Sequence, residues 1–244
     1  MAVIGASGYT GAELLRILVG HPGVKLTGIF AGTQAGKTLA DVFPQFLGDP
    51  RVPTELLPFD ADAIARTADA AFCALPHAAS AASIVKLLER GLLVLDLSAD
   101  FRLRSAAIYE TWYGGAHPAP ELLPQAVYGL VERARARLQG ARLIAVPGCY
   151  PTGAILALAP LFAANLIRTD DLIVDAKSGA SGAGRAPNAS TQFAEMGEGV
   201  RAYKVGGQHR HTPEIEQELS VAAGEPVRVS FVPHLLPMSR GILT

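Results

Sequence analysis

Cysteine is scarce in this chain: 244 residues contain two, Cys73 and Cys149. That excludes a disulfide framework and fits a reducing compartment. Basic blocks are missing too. The 21 basic and 22 acidic residues are spread along the sequence for a net charge of −1. No basic stripe interleaved with aromatics occurs, which excludes the usual electrostatic footprint of a nucleic-acid binder. There is no basic segment followed by an apolar leader core, and no apolar run long enough to span a bilayer. The chain therefore reads as a soluble, cytoplasmic protein without a membrane partner. Charged residues make up 18 % and hydrophobic ones 50 %, enough for a substantial core in one large or two modest domains. Both ends read as interrupted. Ala2-Val3-Ile4 meets a glycine turn after three residues, and Arg240-Gly241-Ile242-Leu243-Thr244 stops inside a β-run.

What is present begins with strand, glycine turn and amphipathic helix: Ala2-Val3-Ile4, then Gly5-Ala6-Ser7-Gly8-Tyr9-Thr10-Gly11, then Ala12-Glu13-Leu14-Leu15-Arg16-Ile17-Leu18. The glycines follow G-x-x-G-x-x-G, a variant of the dinucleotide fingerprint. Gly5 and Gly8 let the backbone approach a pyrophosphate, and Gly11 permits close helix–strand packing. Ser7, Tyr9 and Thr10 complete the set of cofactor contacts, with the helix start facing the phosphates. An ordinary tight βα turn is the plain alternative. The next strand, residues 25–30, ends in Ala31-Gly32-Thr33-Gln34-Ala35-Gly36-Lys37, with no acid for the adenosine ribose hydroxyls. That absence favours NADP over NAD, with Lys37 on the 2′-phosphate or merely facing solvent.

Apolar runs then alternate with helical ones: residues 70–75, 79–89 and 92–97. Fully apolar strands between helices predict a parallel sheet covered on both faces. Cys73 reads as core. Pro76, His77 and Ser98 follow strands, at the carboxyl ends where open sheets bind ligands, and are candidates for cofactor binding, Pro76 and His77 on the nicotinamide side. Arg102 is a candidate for an anionic substrate group, or for a salt bridge to Asp100.

Cys149 lies in Val146-Pro147-Gly148-Cys149-Tyr150-Pro151-Thr152-Gly153, between an apolar strand and an apolar helix. Amides at a helix start stabilise an anion, so a thiol there is suited to nucleophilic catalysis. A buried, inert cysteine is the alternative. Downstream, Lys177-Ser178-Gly179-Ala180-Ser181-Gly182-Ala183-Gly184-Arg185 follows a strand. Its small residues can offer several amides to a carboxylate or phosphate, with Ser181 and Gly182 as contacts of cofactor and substrate. Gln208-His209-Arg210-His211-Thr212-Pro213 places two histidines and an arginine before a helix capped by Thr212. Two histidines without a third ligand make a poor metal site; an acid–base role fits a thiol that needs a base.

These motifs, together with Leu75-Pro76-His77, Asp96-Leu97-Ser98-Ala99-Asp100-Phe101-Arg102, Tyr128-Gly129-Leu130 and Val232-Pro233-His234-Leu235, resemble those of the N-acetyl-γ-glutamyl-phosphate reductases, relatives of aspartate-semialdehyde dehydrogenase. The resemblance covers essentially the whole chain. It implies an α/β fold with a Rossmann-type NADP-binding domain, residues 1–148. An α+β catalytic and oligomerisation domain would follow over residues 149–244, truncated at the C-terminus, since family members continue for roughly a further third of their length. It also implies NADPH-dependent reduction of a small acyl phosphate through a thioester on Cys149, in a homodimer or homotetramer. His211 would be the base, His209 its partner, and Arg102, Ser181, Gly182 and Arg210 the grip on substrate anions. Reductases of other N-blocked acyl phosphates, an aspartate-semialdehyde dehydrogenase and a non-catalytic NADP sensor are the competing readings.

Overall fold

The computed structural model describes all 244 residues. They form two compact units: Met1–Tyr109 with Gly115–Val146, and Glu110–Gly114 with Pro147–Thr244. No helix is long and apolar enough to cross a membrane.

The first unit runs β1 (Ala2–Ile4), α1 (Tyr9–Leu18), β2 (Gly28–Phe30), α2 (Leu39–Val42), β3 (Leu56–Leu57), α3 (Ala61–Thr67), β4 (Ala70–Cys73), α4 (Ser80–Glu89) and β5 (Leu93–Asp96). It continues through α5 (Ala106–Tyr113), whose residues from Glu110 on count with the second unit, then β6 (Ala126–Tyr128), α6 (Val131–Leu138) and β7 (Leu143–Ala145). The strands form one sheet in the order β3-β2-β1-β4-β5-β7-β6, every pair parallel. β1 shows why. Its three side chains are all buried, and successive ones point to opposite faces. Val3 joins Leu15, Ile29, Leu39 and Leu56 on one face, while Ala2 and Ile4 join Ile64, Ile84 and Leu87 on the other. A strand buried on both sides needs helices on both sides, which βαβ crossovers supply. Full burial of a side chain such as Ile84 or Leu87 contributes about 1.5–3 kcal/mol, so α4 is held mainly by this stripe. The chain goes from β1 outward to β2 and β3, then returns to place β4 on β1's other edge. This reversal leaves a crevice at the carboxyl ends of β1 and β4, where open sheets take ligands.

The second unit contains α7 (Cys149–Ala163), β8 (Leu172–Ser178), α8 (Phe193–Met196), β9 (Arg201–Ala202), α9 (Thr212–Ala223), β10 (Val229–Leu235) and β11 (Ile242–Leu243). Its mixed sheet has the order β11-β8-β10-β9. β8 and β10 run parallel, from Leu172 opposite Val229 to Ser178 opposite Leu235, and both outer strands are antiparallel to them. Alternation is clean here. Val174, Ala176, Ser178, Val229 and Phe231 are buried, while Ile173, Asp175 and Ser230 are exposed, so one face is covered and the other open. α7 begins with Pro151 in its first turn, where a missing N–H costs nothing.

One expected cap is corrected. Thr212 is the first residue of α9 itself, and His211 occupies the preceding cap position, where its side chain does not cap the helix. Thr212 Oγ1 is instead buried without a hydrogen-bond partner.

Candidate active site

Cys149 opens α7 and is exposed. The peptide before it is fixed from two sides. Gly148 N–H donates to Glu214 Oε1 at 2.7 Å, and the Thr152 hydroxyl donates to Gly148 O at 2.8 Å. Glu214 comes from the first turn of α9 and is buried. The Tyr150 and Tyr203 hydroxyls hydrogen-bond at 2.9 Å. Burial pushes both phenols above their ordinary range, and negative charge on Cys149 pushes them further. Both therefore stay protonated beside the sulfur.

The two histidines come together, with ring centroids 4.9 Å apart. His209 sits edge-on to Tyr150 at 5.6 Å, Tyr203 at 5.6 Å and Phe231 at 5.1 Å. Burial first, then His211, Lys204 and Arg210, lower its pKa to about 3. His209 Nδ1 accepts the His211 amide at 3.1 Å. A neutral imidazole accepting at Nδ1 carries its proton on Nε2. At neutral pH His209 is thus a hydrogen-bond donor rather than a base. Arg210 lies over the Tyr113 ring, 5.4 Å from its centroid, within the same unit.

The loop after β8 departs from expectation. Gly179, Ala180 and Ser181 spend their amides on the carbonyls of Gly241, Met238 and Ser239. A Cβ on Gly179 would lie 2.7 Å from Arg240 N, so the loop is pressed against that segment. Ser181 is partly exposed, and exposed Gly182 lies beside it in a short 3₁₀ turn.

In the first unit the glycine turn has the form a dinucleotide needs. Gly5 has φ +85°, and a Cβ there would lie 2.4 Å from Ala74 O. A Cβ on Gly11 would lie 2.4 Å from Gly5 O. Gly8, the cap of α1, meets only Gly5 O at 3.6 Å, so this side of the turn stays open to a phosphate. The amides that begin α1 at Tyr9, Thr10 and Gly11 have no acceptor within the helix, and Ser7, Tyr9 and Thr10 stand at least partly open to solvent. Lys37, Pro76 and His77 are exposed. Two candidates are turned inward instead. Ser98 donates its hydroxyl to Asp96 at 2.8 Å. Arg102 is 9 % exposed and ties Leu97 O at 2.7 Å to Val146 O at 2.8 Å, joining the carboxyl ends of β5 and β7. Two of the guanidinium's nitrogens are thus tied to backbone carbonyls. No group of three or more His, Cys, Asp or Glu side chains is placed to hold a metal.

The first unit matches the family model of the semialdehyde dehydrogenase NAD binding domain over residues 1–141. Residues 149–244 match that of the semialdehyde dehydrogenase dimerisation domain. An aspartate semialdehyde dehydrogenase II from Vibrio cholerae shares the fold, with a TM-score of 0.66 at 17 % identity over 99 % of this chain and 71 % of that one. The N-acetyl-gamma-glutamyl-phosphate reductase of Rhodospirillum rubrum is 53 % identical over all of this chain and 69 % of its own length. That of Magnetococcus marinus is 50 % identical over the same shares. The chain belongs to the N-acetyl-gamma-glutamyl-phosphate reductase family. Within this family member, sequence reasoning missed Glu214 and the Tyr150–Tyr203 pair as parts of the site. Tyr150 lies next to Cys149, which was singled out. The available signal was an acid three residues past His211 and a tyrosine on each flank of the thiol–histidine set, but pairing across more than fifty positions is not written in spacing.

Proposed function

We propose that this chain catalyses NADPH-dependent reduction of N-acetyl-γ-glutamyl phosphate to N-acetylglutamate 5-semialdehyde and phosphate, a step of arginine biosynthesis. Identity near 50 % to reductases of that name over the whole chain supports the reading. The single structural observation that carries it is an exposed thiol at the start of α7, next to Tyr150, whose hydroxyl meets that of Tyr203 and whose ring lies edge-on to His209 and His211. Residues 1–148 would bind the cofactor and residues 149–244 carry catalysis and the contacts of a cytoplasmic homodimer or homotetramer.

Cys149 is the nucleophile. Its thiolate attacks the acyl carbonyl carbon; the C–S bond forms as the C–O bond to phosphate breaks, leaving a thioester. Bound NADPH supplies the hydride that reduces the thioester carbon. The C–S bond then breaks, giving aldehyde and thiolate. His211 takes the thiol proton, while His209, held neutral with its proton on Nε2, donates a hydrogen bond to the developing oxyanion. Arg210 and the Ser181 hydroxyl, with Gly182, hold the substrate's anionic groups. Gly5, Gly8 and Gly11 would leave room for the cofactor's pyrophosphate, Lys37 would pair with its 2′-phosphate, and Pro76 and His77 would border its nicotinamide.

Cys149→Ser, assayed for phosphate-dependent oxidation of N-acetylglutamate semialdehyde with NADP, should lose activity by roughly a thousandfold or more. Turnover near that of the wild type would remove the covalent mechanism. His211→Asn should lower kcat by about a hundredfold or more. It should also abolish the acidic limb of the pH profile, which His209→Asn should leave in place.

A further inference from the structure

Beneath the exposed turn that follows β4 lies a buried acidic network that the reaction does not use. Asp100 is fully buried. Its carboxylate accepts from Ala78 N–H at 2.7 Å, Ala81 N–H at 3.0 Å and the buried Tyr109 hydroxyl at 2.9 Å. Its own amide donates to Ser98 Oγ at 3.1 Å, and its carbonyl meets His117 Nε2. The neighbouring Asp96 accepts from the Ser80 hydroxyl at 3.0 Å. Two carboxylates, Asp96 at the end of β5 and Asp100 in the segment after it, thus hold the first turn of α4.

The turn they hold is strained. Ala78 has φ +65°, a conformation that residues with a Cβ avoid. Pro76, His77, Ala78 and Ala79 are all exposed, so no core packing from above enforces that shape. The strand leading into it abuts the glycine turn: the carbonyl of Ala74 is what a Cβ on Gly5 would strike. A backbone held in a costly conformation on the open lip of the β1–β4 crevice marks a surface shaped for a ligand.

We infer that Asp100 is a positioning residue for the cofactor: it locks Ala78 in the left-handed region and so sets the Pro76–His77 turn against the nicotinamide half of NADPH. The inference rests on the proposed function, in that the crevice must take NADPH. Asp100 does not touch the cofactor. It acts through two backbone amides, and both carboxylate oxygens are needed because each serves a different one. An asparagine there would turn a donor toward one of these N–H groups.

NADPH binding is measured by nucleotide fluorescence on the full chain. Asp100→Asn should raise the Kd for NADPH about tenfold and raise KM for NADPH in step, with kcat at saturating NADPH within about threefold. Adding Ala78→Gly to Asp100→Asn makes the left-handed conformation accessible without the carboxylate, and should recover at least about threefold of the lost affinity. Tyr109→Phe removes one hydrogen bond to the same carboxylate and should weaken NADPH about twofold to threefold, even if Asp100→Asn does not fold. Unchanged NADPH affinity in Asp100→Asn or in Tyr109→Phe, or a loss that Ala78→Gly does not recover, overturns the inference. Failure of the wild type to bind NADPH would instead overturn the cofactor reading beneath it.

Discussion

Glu214 carries its carboxylate into the interior of the second unit and spends one oxygen on the amide of Gly148. A hydrogen bond to a charged group contributes about 1.5–3 kcal/mol, and its loss leaves a buried N–H unsatisfied. Glu214→Ala should therefore lower stability by about 2–3 kcal/mol in urea unfolding. It should also slow alkylation of Cys149 by iodoacetamide, since the peptide that orients the sulfur loses its anchor. Glu214→Gln keeps an acceptor and should be milder on both counts. The exposed thiol at a helix start was legible in the sequence because Cys149 stands between a Pro-Gly turn and an apolar helix. Glu214 was not. An acid in the first turn of a helix reads as a partner of the helix dipole, and nothing local says that it is buried.

At the scale of elements, legibility follows the range of the interactions involved. The parallel sheet could be read because each strand states its own two-sided burial, as β1 does with Ala2 and Ile4 on one face and Val3 on the other. The glycine turn could be read for the same reason: Gly5, Gly8 and Gly11 meet atoms within a few residues or on the adjacent strand. Gly11→Ala would put a methyl 2.4 Å from Gly5 O, backbone against backbone. Overpacking of this kind costs about 1–3 kcal/mol. The variant should unfold at lower urea and bind NADPH at least about tenfold more weakly. The loop after β8 misled because its amides are consumed by residues 238–241, far along the chain. Ser98 and Arg102 have partners within the protein that residue type alone does not announce: Asp96, two residues before Ser98, and for Arg102 the carbonyls of Leu97 and of distant Val146.

At the scale of the whole molecule, two buried titratable groups respond to acid in opposite senses. Burial pushes Asp96 up to about 6 against an ordinary 3.8. Between those values the folded state binds the extra proton, so stability rises as pH falls. His209 is lowered to about 3 from 6.5. Over that window the unfolded state binds the extra proton, and stability falls with pH. From about pH 6 to about 4.5 the two contributions oppose each other, each at most about 1.4 kcal/mol per pH unit and the less buried His209 below that limit. Urea midpoints at both pH values should show Asp96→Asn more acid-sensitive than the wild type and His209→Asn less so. Equal pH slopes in all three proteins would contradict these assignments. The order of strands has a different consequence, one of time. β1 precedes the other strands of its sheet in the chain yet lies inside it, with Ala2 paired to Gly28 on one edge and to Ala71 on the other. No hairpin exists in that sheet to nucleate it, so every pairing must await closure of a long loop. Folding of the first unit is thus inherently slow, and its earliest apolar strand waits longest for a second neighbour, a delay in which chains can aggregate.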